Sequence, residues 1–343
     1  MQEKKLINNL YKKFCDEVNL FCKGNAKKHI IIGLSSGPDS SLLLDFFYEY
    51  QKENPLFISL SACHIHHGWG MIKKEWEDCA NNAMEISIKK CNEYAIPIYI
   101  FKNQDKNNLK ESGSYEAGGR KMRYDFFKKI LKDHNGDAIA LGHTNDDQIE
   151  GFFIKIIRGT SLSGLCGMNE IDDFLLKPFY ILRPLLNIEK KDIIKALNEK
   201  KIEYIEDKSN SDEIALRNKI RLKLIPEIRS IDKRFDYNLN KTINNLKEAN
   251  KSLNEYTKIN LEKIYNKKTN FILIDELKKV DLYIQNEIIL HFLFINNFDK
   301  NLISTSFINE LIRFINNKEN KTHKVNKFIF SKQKNIFKIN YDL

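Results

Sequence analysis

One junction near the N-terminus constrains the fold more than any other stretch. The apolar run Ile30-Ile31-Ile32-Gly33-Leu34 leads into six small or polar residues, Ser35-Ser36-Gly37-Pro38-Asp39-Ser40, and then into Leu42-Leu43-Leu44-Asp45-Phe46-Phe47. The order reads as buried strand, tight turn, helix. The first N–H groups of a helix have no partner inside it, and the helix dipole favours negative charge there. The turn is therefore a candidate anion cradle. Its plain alternative is an ordinary strand-to-helix turn with Ser40 as N-cap. The common mononucleotide loop carries a lysine; this one has none and places Asp39 there instead. A carboxylate beside phosphates is repulsive unless a cation lies between them, so Mg²⁺ on Asp39 is implied.

The same alternation continues through the first two hundred or so residues. Strand-like runs at 56–64, 98–101 and 137–143 are separated by helix-like stretches at 40–51, 73–94 and 115–132. Alternating elements of this kind predict an α/β fold: a doubly wound parallel sheet, Rossmann-like, with helices on both faces. Ligands of such sheets bind beyond the C-terminal strand ends. Three polar clusters fall at those ends, Ser35 to Ser40, His64 to Gly70 and His143 to Glu150. Before the first strand, Leu6, Leu10, Phe14, Val18 and Phe21 predict an amphipathic helix within residues 1–28. Past about Pro226 the pattern becomes mainly α-helical. Phe235, Leu239, Leu246, Ala249, Leu253 and Tyr256 are spaced for the seam of a long helix. Helices are expected at 280–294 and 305–315, a solvated loop at 316–324, and a terminal strand pair at 328–330 and 336–339. The expected organisation is residues 1–28 leading into a first domain at 29–215, and a second domain at 216–343.

Bulk properties narrow the class. The absence of any apolar run long enough to span a bilayer argues for a soluble chain without a membrane partner. Glu3, Asp16 and Glu17 make the N-terminus a poor targeting signal. The six cysteines form no Cys-x-x-Cys pair, which fits reduced thiols in a cytoplasm. A net charge of +10 suits a polyanionic partner such as RNA, although a genome biased toward Lys, Asn and Ile would give the same number.

The chemistry-bearing residues recur in short clusters. His143-Thr144-Asn145-Asp146-Asp147-Gln148-Ile149-Glu150 leaves a strand and enters a helix. Asp147 and Glu150, three apart, share a face and can converge on one ligand; acidic residues in a first turn also suit the dipole. Arg120 and Arg123 share a helix face, as phosphate ligands or as a solvated cationic surface. Further segments stand out. They are His64-Ile65-His66-His67-Gly68, Gly119 through Tyr124, Arg158 through Leu165, Arg183-Pro184-Leu185-Leu186, Glu206 through Asn210, and Arg217-Asn218-Lys219-Ile220-Arg221.

With the first loop, these segments, in this order, resemble the tRNA(Ile)-lysidine synthetases, a family of PP-loop ATP pyrophosphatases, over most of residues 29 to about 226. The resemblance implies an ATP-dependent ligase that uses ATP and Mg²⁺. In the implied reaction, the wobble cytidine of a tRNA(Ile) with anticodon CAU attacks the α-phosphate and releases pyrophosphate. Free L-lysine then displaces AMP to form lysidine. Expected nucleotide contacts are Ser35, Ser36, Gly37, Pro38, Asp39, Ser40, His64 and Gly142. Asp39, His143, Asp147, Glu150 and Arg123 are the expected catalytic residues, and Arg120, Arg123, Asp147, Glu150, Arg217 and Arg221 the expected substrate contacts. Gly159 through Gly164 is expected to close over the cleft. The helical domain, with Lys241, Lys247, Lys251, Lys258 and Lys263, is the expected tRNA-binding module. A homodimer is compatible with the resemblance. An amine of pKa ~10.4 is neutral in only about four molecules in ten thousand at pH 7, so either carboxylate of the 147/150 pair is a candidate base. The chain departs from the family pattern at Ser36, His66, Gly70 and Thr144, and it is short for the family, so an extra C-terminal domain is not expected. A thiolase on the same fold is the nearest rival, but such enzymes commonly use paired cysteines.

Overall fold

The computed structural model describes residues 2–24, 26–68, 74–105, 115–173, 175–205, 216–298, 302–317, 319 and 321–341. The chain divides into two compact units, Met1–Lys241 and Thr242–Leu343.

The first unit begins with α1 (Gln2–Phe21), β1 (Lys28–Leu34), α2 (Pro38–Glu53), β2 (Ile58–His66), α3 (Glu75–Glu93), β3 (Ile98–Lys102), α4 (Tyr115–Asp133) and β4 (Ala138–Ala140). It continues with α5 (Asn145–Arg158), α6 (Leu162–Leu165), β5 (Ile171–Asp172), β6 (Tyr180–Leu182) and α7 (Lys190–Lys200). A helical run then closes it: α8 (Leu216–Lys219), a π-helical turn at Ile220–Leu224, α9 (Ile225–Ile231) and the start of α10 (Phe235–Ile264). The sheet order is β3-β2-β1-β4-β6-β5, parallel except for the short edge strand β5. The chain winds outward from β1 to β3 and then returns to β4 on the other side of β1. The crevice at the C-terminal ends of β1 and β4 is therefore the switch point where such sheets bind ligands.

The period of two along β1 explains why both faces are dry. Ile30 and Ile32 point into one core with α1, α2 and α7 residues such as Phe14, Phe46, Leu43 and Leu197, while Ile31 joins Phe127, Leu131 and Ile139 on the other face. The first helix is amphipathic as its spacing predicts, with Leu10, Phe14 and Val18 buried.

Several sequence expectations differ in detail. The strand expected over 137–143 is only Ala138–Ala140, because residues 141–144 leave the ladder to form the site. Ser40 is not the N-cap of α2; Gly37 is, with Pro38 at the first helical position, where its missing N–H costs nothing. Residues 216–241, read as the start of the second domain, lie in the first unit, tied there by Arg217, Arg221 and Arg229 to carboxylates of α5. Ala249 and Tyr256 of the expected helix seam are exposed; burial along α10 keeps Leu239 of that seam and otherwise follows Ile243, Thr257, Leu261 and Ile264. Residues 69–73 and 206–210, which include Gly70 and the Glu206 motif, lie outside the described residues.

The second unit holds the rest of α10, β7 (Tyr265–Asn266), β8 (Phe271–Leu273), α11 (Ile274–Leu277), α12 (Leu282–Ile295), α13 (Thr305–Asn316), β9 (Lys321–Val325), β10 (Phe328–Gln333) and β11 (Ile336–Tyr341). Its strands form an antiparallel sheet, β7-β8-β11-β10-β9, larger than the expected strand pair. Lys321–Val325, read as part of a solvated loop, is an edge strand paired with β10. Its inner face and helices α12 and α13 bury Phe292, Phe298, Phe328, Phe330 and Phe337 in one aromatic core. No helix among the described residues is long and apolar enough to cross a membrane.

Candidate active site

The loop after β1 is held by its own hydroxyls. Ser40 Oγ accepts from the Ser35 N–H at 3.2 Å, lies 3.1 Å from Ser35 Oγ, and donates to the Gly37 carbonyl at 3.1 Å. These contacts curl the turn so that the first-turn N–H groups of Asp39 and Ser40, which no helical carbonyl can reach, lie at its mouth. Gly142, after β4, is seated under it. A Cβ at 142 would stand 3.0 Å from the Asp39 carbonyl carbon and the Ser40 nitrogen. The expected nucleotide contact at Gly142 is thus a close backbone approach.

Ser36 has φ +57°, the left-handed region where glycine is favoured. Its hydroxyl reaches backward, away from the loop mouth. It donates to the Ala83 carbonyl at 2.7 Å and lies 2.6 Å from Ser87 Oγ, which in turn is 3.0 Å from His64 Nδ1. All three side chains are buried. Burial, reinforced by His66, lowers His64 to a pKa of about 4, so it is a neutral imidazole. The structure places His64 behind the loop as part of its support.

Asp39 is the loop's charged group. Lys190, the first residue of α7, brings its Nζ to 2.5 Å from Asp39 Oδ2, while Asp39 Oδ1 is buried without a hydrogen-bond partner among the described residues. Burial is the largest influence on Asp39 and lifts its pKa to about 6, against the pull of Lys190; Asp147 and Asp146 add to the rise.

The start of α5 carries the acidic pair. Thr144 caps this helix, and Asp147 Oδ2 accepts from its N–H at 2.9 Å and from its hydroxyl at 3.1 Å. This capping arrangement explains a threonine at 144. The other oxygen, Asp147 Oδ1, accepts from Arg217 Nη2 at 2.5 Å. Glu150, 2% exposed at its side chain, accepts from Arg217 Nε at 2.7 Å and from Arg221 Nε and Nη2 at 2.6 and 3.0 Å. These bonds to Glu150 raise the pKa of Arg221. The two carboxylates therefore do converge on one cation, here the Arg217 guanidinium.

His143 and the arginines of α4 complete the rim. His143 Nδ1 is buried without a hydrogen-bond partner among the described residues. Burial, then Arg183, Arg217, Arg123 and Arg120, push its pKa down to about 3. Burial and Arg123 likewise lower His67 to about 3. Arg120 lies over the Tyr124 ring one turn on, 4.9 Å from its centroid, and is exposed. Arg183, from the Arg-Pro-Leu-Leu segment, is 2% exposed and ties β6 to β5 through the Asn169 carbonyl and Asp172. Residues 159–164 include the N-terminus of α6, where Ser161 Oγ accepts from the Gly164 N–H.

Four contributors are not evident from sequence patterns alone: Lys190, Ser87, Asp146 and Arg229. Asp146 accepts from the Lys190 backbone N–H at 2.9 Å and from Arg229 at 2.8 Å. Burial disfavours the Arg229 charge, but its bonds to Asp236 and Asp146 outweigh that and raise its pKa. One signal did exist. Lys190 and Lys191 open a helix, where the dipole disfavours positive charge.

A small-residue loop at a sheet switch point, with an acidic helix start across the crevice, defines an ATP-handling PP-loop protein. A family model described as a PP-loop domain matches residues 5–228. In fold the chain is similar to the U34-tRNA thiolase NcsA from Methanococcus maripaludis, with a TM-score of 0.58 and 18% identity over 72% of this chain and 80% of that one. In sequence it is 34% identical to a tRNA(Ile)-lysidine synthase of Francisella tularensis subsp. novicida over 92% of this chain and 71% of that protein. It is 35% identical to the Clostridium tetani tRNA(Ile)-lysidine synthase over 65% of this chain and 44% of that protein. The Clostridioides difficile enzyme of that name is 31% identical over 80% of this chain and 54% of its own length. The chain belongs to the tRNA(Ile)-lysidine synthase family. Its matches span from under half to about seven-tenths of these relatives' lengths.

Proposed function

We propose that this chain ligates free L-lysine to C2 of the wobble cytidine of a tRNA(Ile) with anticodon CAU, using ATP and releasing AMP and pyrophosphate. The observation that carries the reading is the Asp147/Glu150 pair holding a side-chain cation beside the Asp39 loop. A carboxylate pair that grips a guanidinium can grip an ammonium, and the adjoining loop offers N–H donors to phosphates. Attack by lysine requires its amine to lose a proton, and these two carboxylates are the bases beside it. Arg217 must yield its place to the amino acid.

Mg²⁺ is part of this reading. Such an ion is ordinarily held by one or two carboxylates together with substrate phosphates and water. Asp39 Oδ1, buried and without a hydrogen-bond partner among the described residues, fits that pattern. When bound, the ion would neutralise phosphate charge. His143, neutral at physiological pH, suits a hydrogen bond to the adenylate. In the second unit, Lys251, Lys258 and Lys263 are exposed along α10 and suit the RNA backbone. A cytoplasmic location belongs to the same reading, and a homodimer is compatible with it.

The test supplies the purified protein with labelled ATP, lysine and bulk tRNA. Lysine-dependent AMP release with lysine incorporated into RNA is expected, and Asp39→Ala is expected to abolish it. RNA binding without ATP turnover, or turnover that needs a sulfur donor, would overturn the assignment.

A further inference from the structure

The loop of residues 35–40 contains no cation, yet the leaving group of the proposed reaction is a polyanion. The structure brings a cation to the loop from 151 residues away. Lys190 Nζ lies 2.5 Å from Asp39 Oδ2. The position of this lysine is set by its backbone. The Lys190 N–H donates to Asp146 Oδ2 at 2.9 Å, and the Asn145 N–H donates to the Ile188 carbonyl at 3.0 Å, so residues 188–190 are fastened to the start of α5. The side chain beyond that anchor is two-fifths exposed at the crevice.

A merely structural role explains this poorly. A half-exposed ion pair adds little to stability, and a lysine opening a helix works against the dipole. Lys190 is also held more loosely than the arginines at the acidic start of α5. It makes one side-chain bond, whereas Arg217, Arg221 and Arg229 each make two or more. A flexible ammonium on a fixed anchor can move between neighbouring oxygens.

We infer that Lys190 supplies the phosphate-binding cation missing from the loop, reaching from Asp39 to the pyrophosphate oxygens of ATP. This rests on the adenylating reading above. In that reaction the cytidine C2 oxygen bonds to the α-phosphorus. The bond from that phosphorus to the bridging oxygen breaks, and its electron pair leaves with pyrophosphate. Lys190 is placed to stabilise the charge that gathers there, with no proton transferred.

The test is direct binding of pyrophosphate and of ATP to the full-length protein, without lysine or tRNA, for wild type, Lys190→Gln and Lys190→Arg. Removing a charge-assisted bond to phosphate is expected to weaken pyrophosphate binding roughly 10- to 100-fold. Lys190→Arg is expected to recover most of that loss, and the affinity for free lysine to stay unchanged in both. Unfolding curves check that the variants fold. Pyrophosphate binding in Lys190→Gln that is unchanged or tighter would overturn the inference, since a lysine that only locks Asp39 would release the loop when removed. A wild-type protein that binds pyrophosphate but makes no lysidine would sink the function and leave the role of Lys190 standing.

Discussion

Ser36 offers a test in which two substitutions that remove the same hydroxyl part company. Its backbone is left-handed at φ +57°, which costs a residue with a Cβ about 1–2 kcal/mol relative to the right-handed region. Its hydroxyl offsets this with two buried contacts, to the Ala83 carbonyl at 2.7 Å and to Ser87 Oγ at 2.6 Å, each contributing about 1 kcal/mol. Ser36→Ala keeps the strain and loses both contacts, so the first unit should lose about 2 kcal/mol. Ser36→Gly loses the same contacts and relieves the strain, and should fall within about 1 kcal/mol of wild type. Glycine should thus stabilise this position better than alanine. The assay is thermal unfolding of the full chain, following the transition of the first unit. For a body of this size about 1 kcal/mol shifts the midpoint by roughly 2–4 °C. If Ser36→Ala melts at or above Ser36→Gly, the left-handed backbone at position 36 does not carry the strain assigned to it.

Other consequences concern the charged residues and the helix cap. The carboxyl of Asp39 is raised to about 6, above its ordinary value of 3.8, so its contribution to stability is full below pH ~4 and is lost as pH rises through 6. Asp39→Asn should therefore raise the melting temperature relative to wild type at pH 8, with the difference shrinking toward pH 5, while abolishing pyrophosphate release. Glu150→Gln should raise the KM for lysine roughly 10- to 100-fold with little change in ATP affinity, measured by lysine-dependent AMP formation; an unchanged KM would remove Glu150 from the lysine site. Thr144→Val should cost about 1 kcal/mol in denaturant unfolding, and Thr144→Ser should not.

The sequence read well where one period ruled. The β1 run, the α1 stripe and the polar clusters at strand ends were legible because their patterns are local. So was the convergence of Asp147 and Glu150, which needs only helical spacing. What could not be read comes from contacts between distant segments. Lys190 meets Asp39 across 151 residues, and Ser36 meets Ser87 across 51. The boundary near 241 was hidden for the same reason. Residues 216–231 look like any helical segment until their arginines are seen on the α5 carboxylates. Lys321–Val325 was missed because an exposed edge strand rich in lysine lacks the apolar signal of a buried one.

The ion pairs around the crevice bear on how two very different substrates would arrive. Asp39, Asp146, Asp147 and Glu150 are matched one for one by Lys190, Arg217, Arg221 and Arg229, so the +10 of the whole chain is carried elsewhere. A small amino acid with a positive tail approaches acids whose charge these partners balance, with Arg120 and Arg123 adding positive charge at the rim. A polyanionic RNA feels the remaining field, which fades beyond about 8 Å at physiological salt. Ionic strength is then a dial that acts on one substrate and spares the other: added salt should slow capture of the nucleic acid while leaving capture of the amino acid almost untouched.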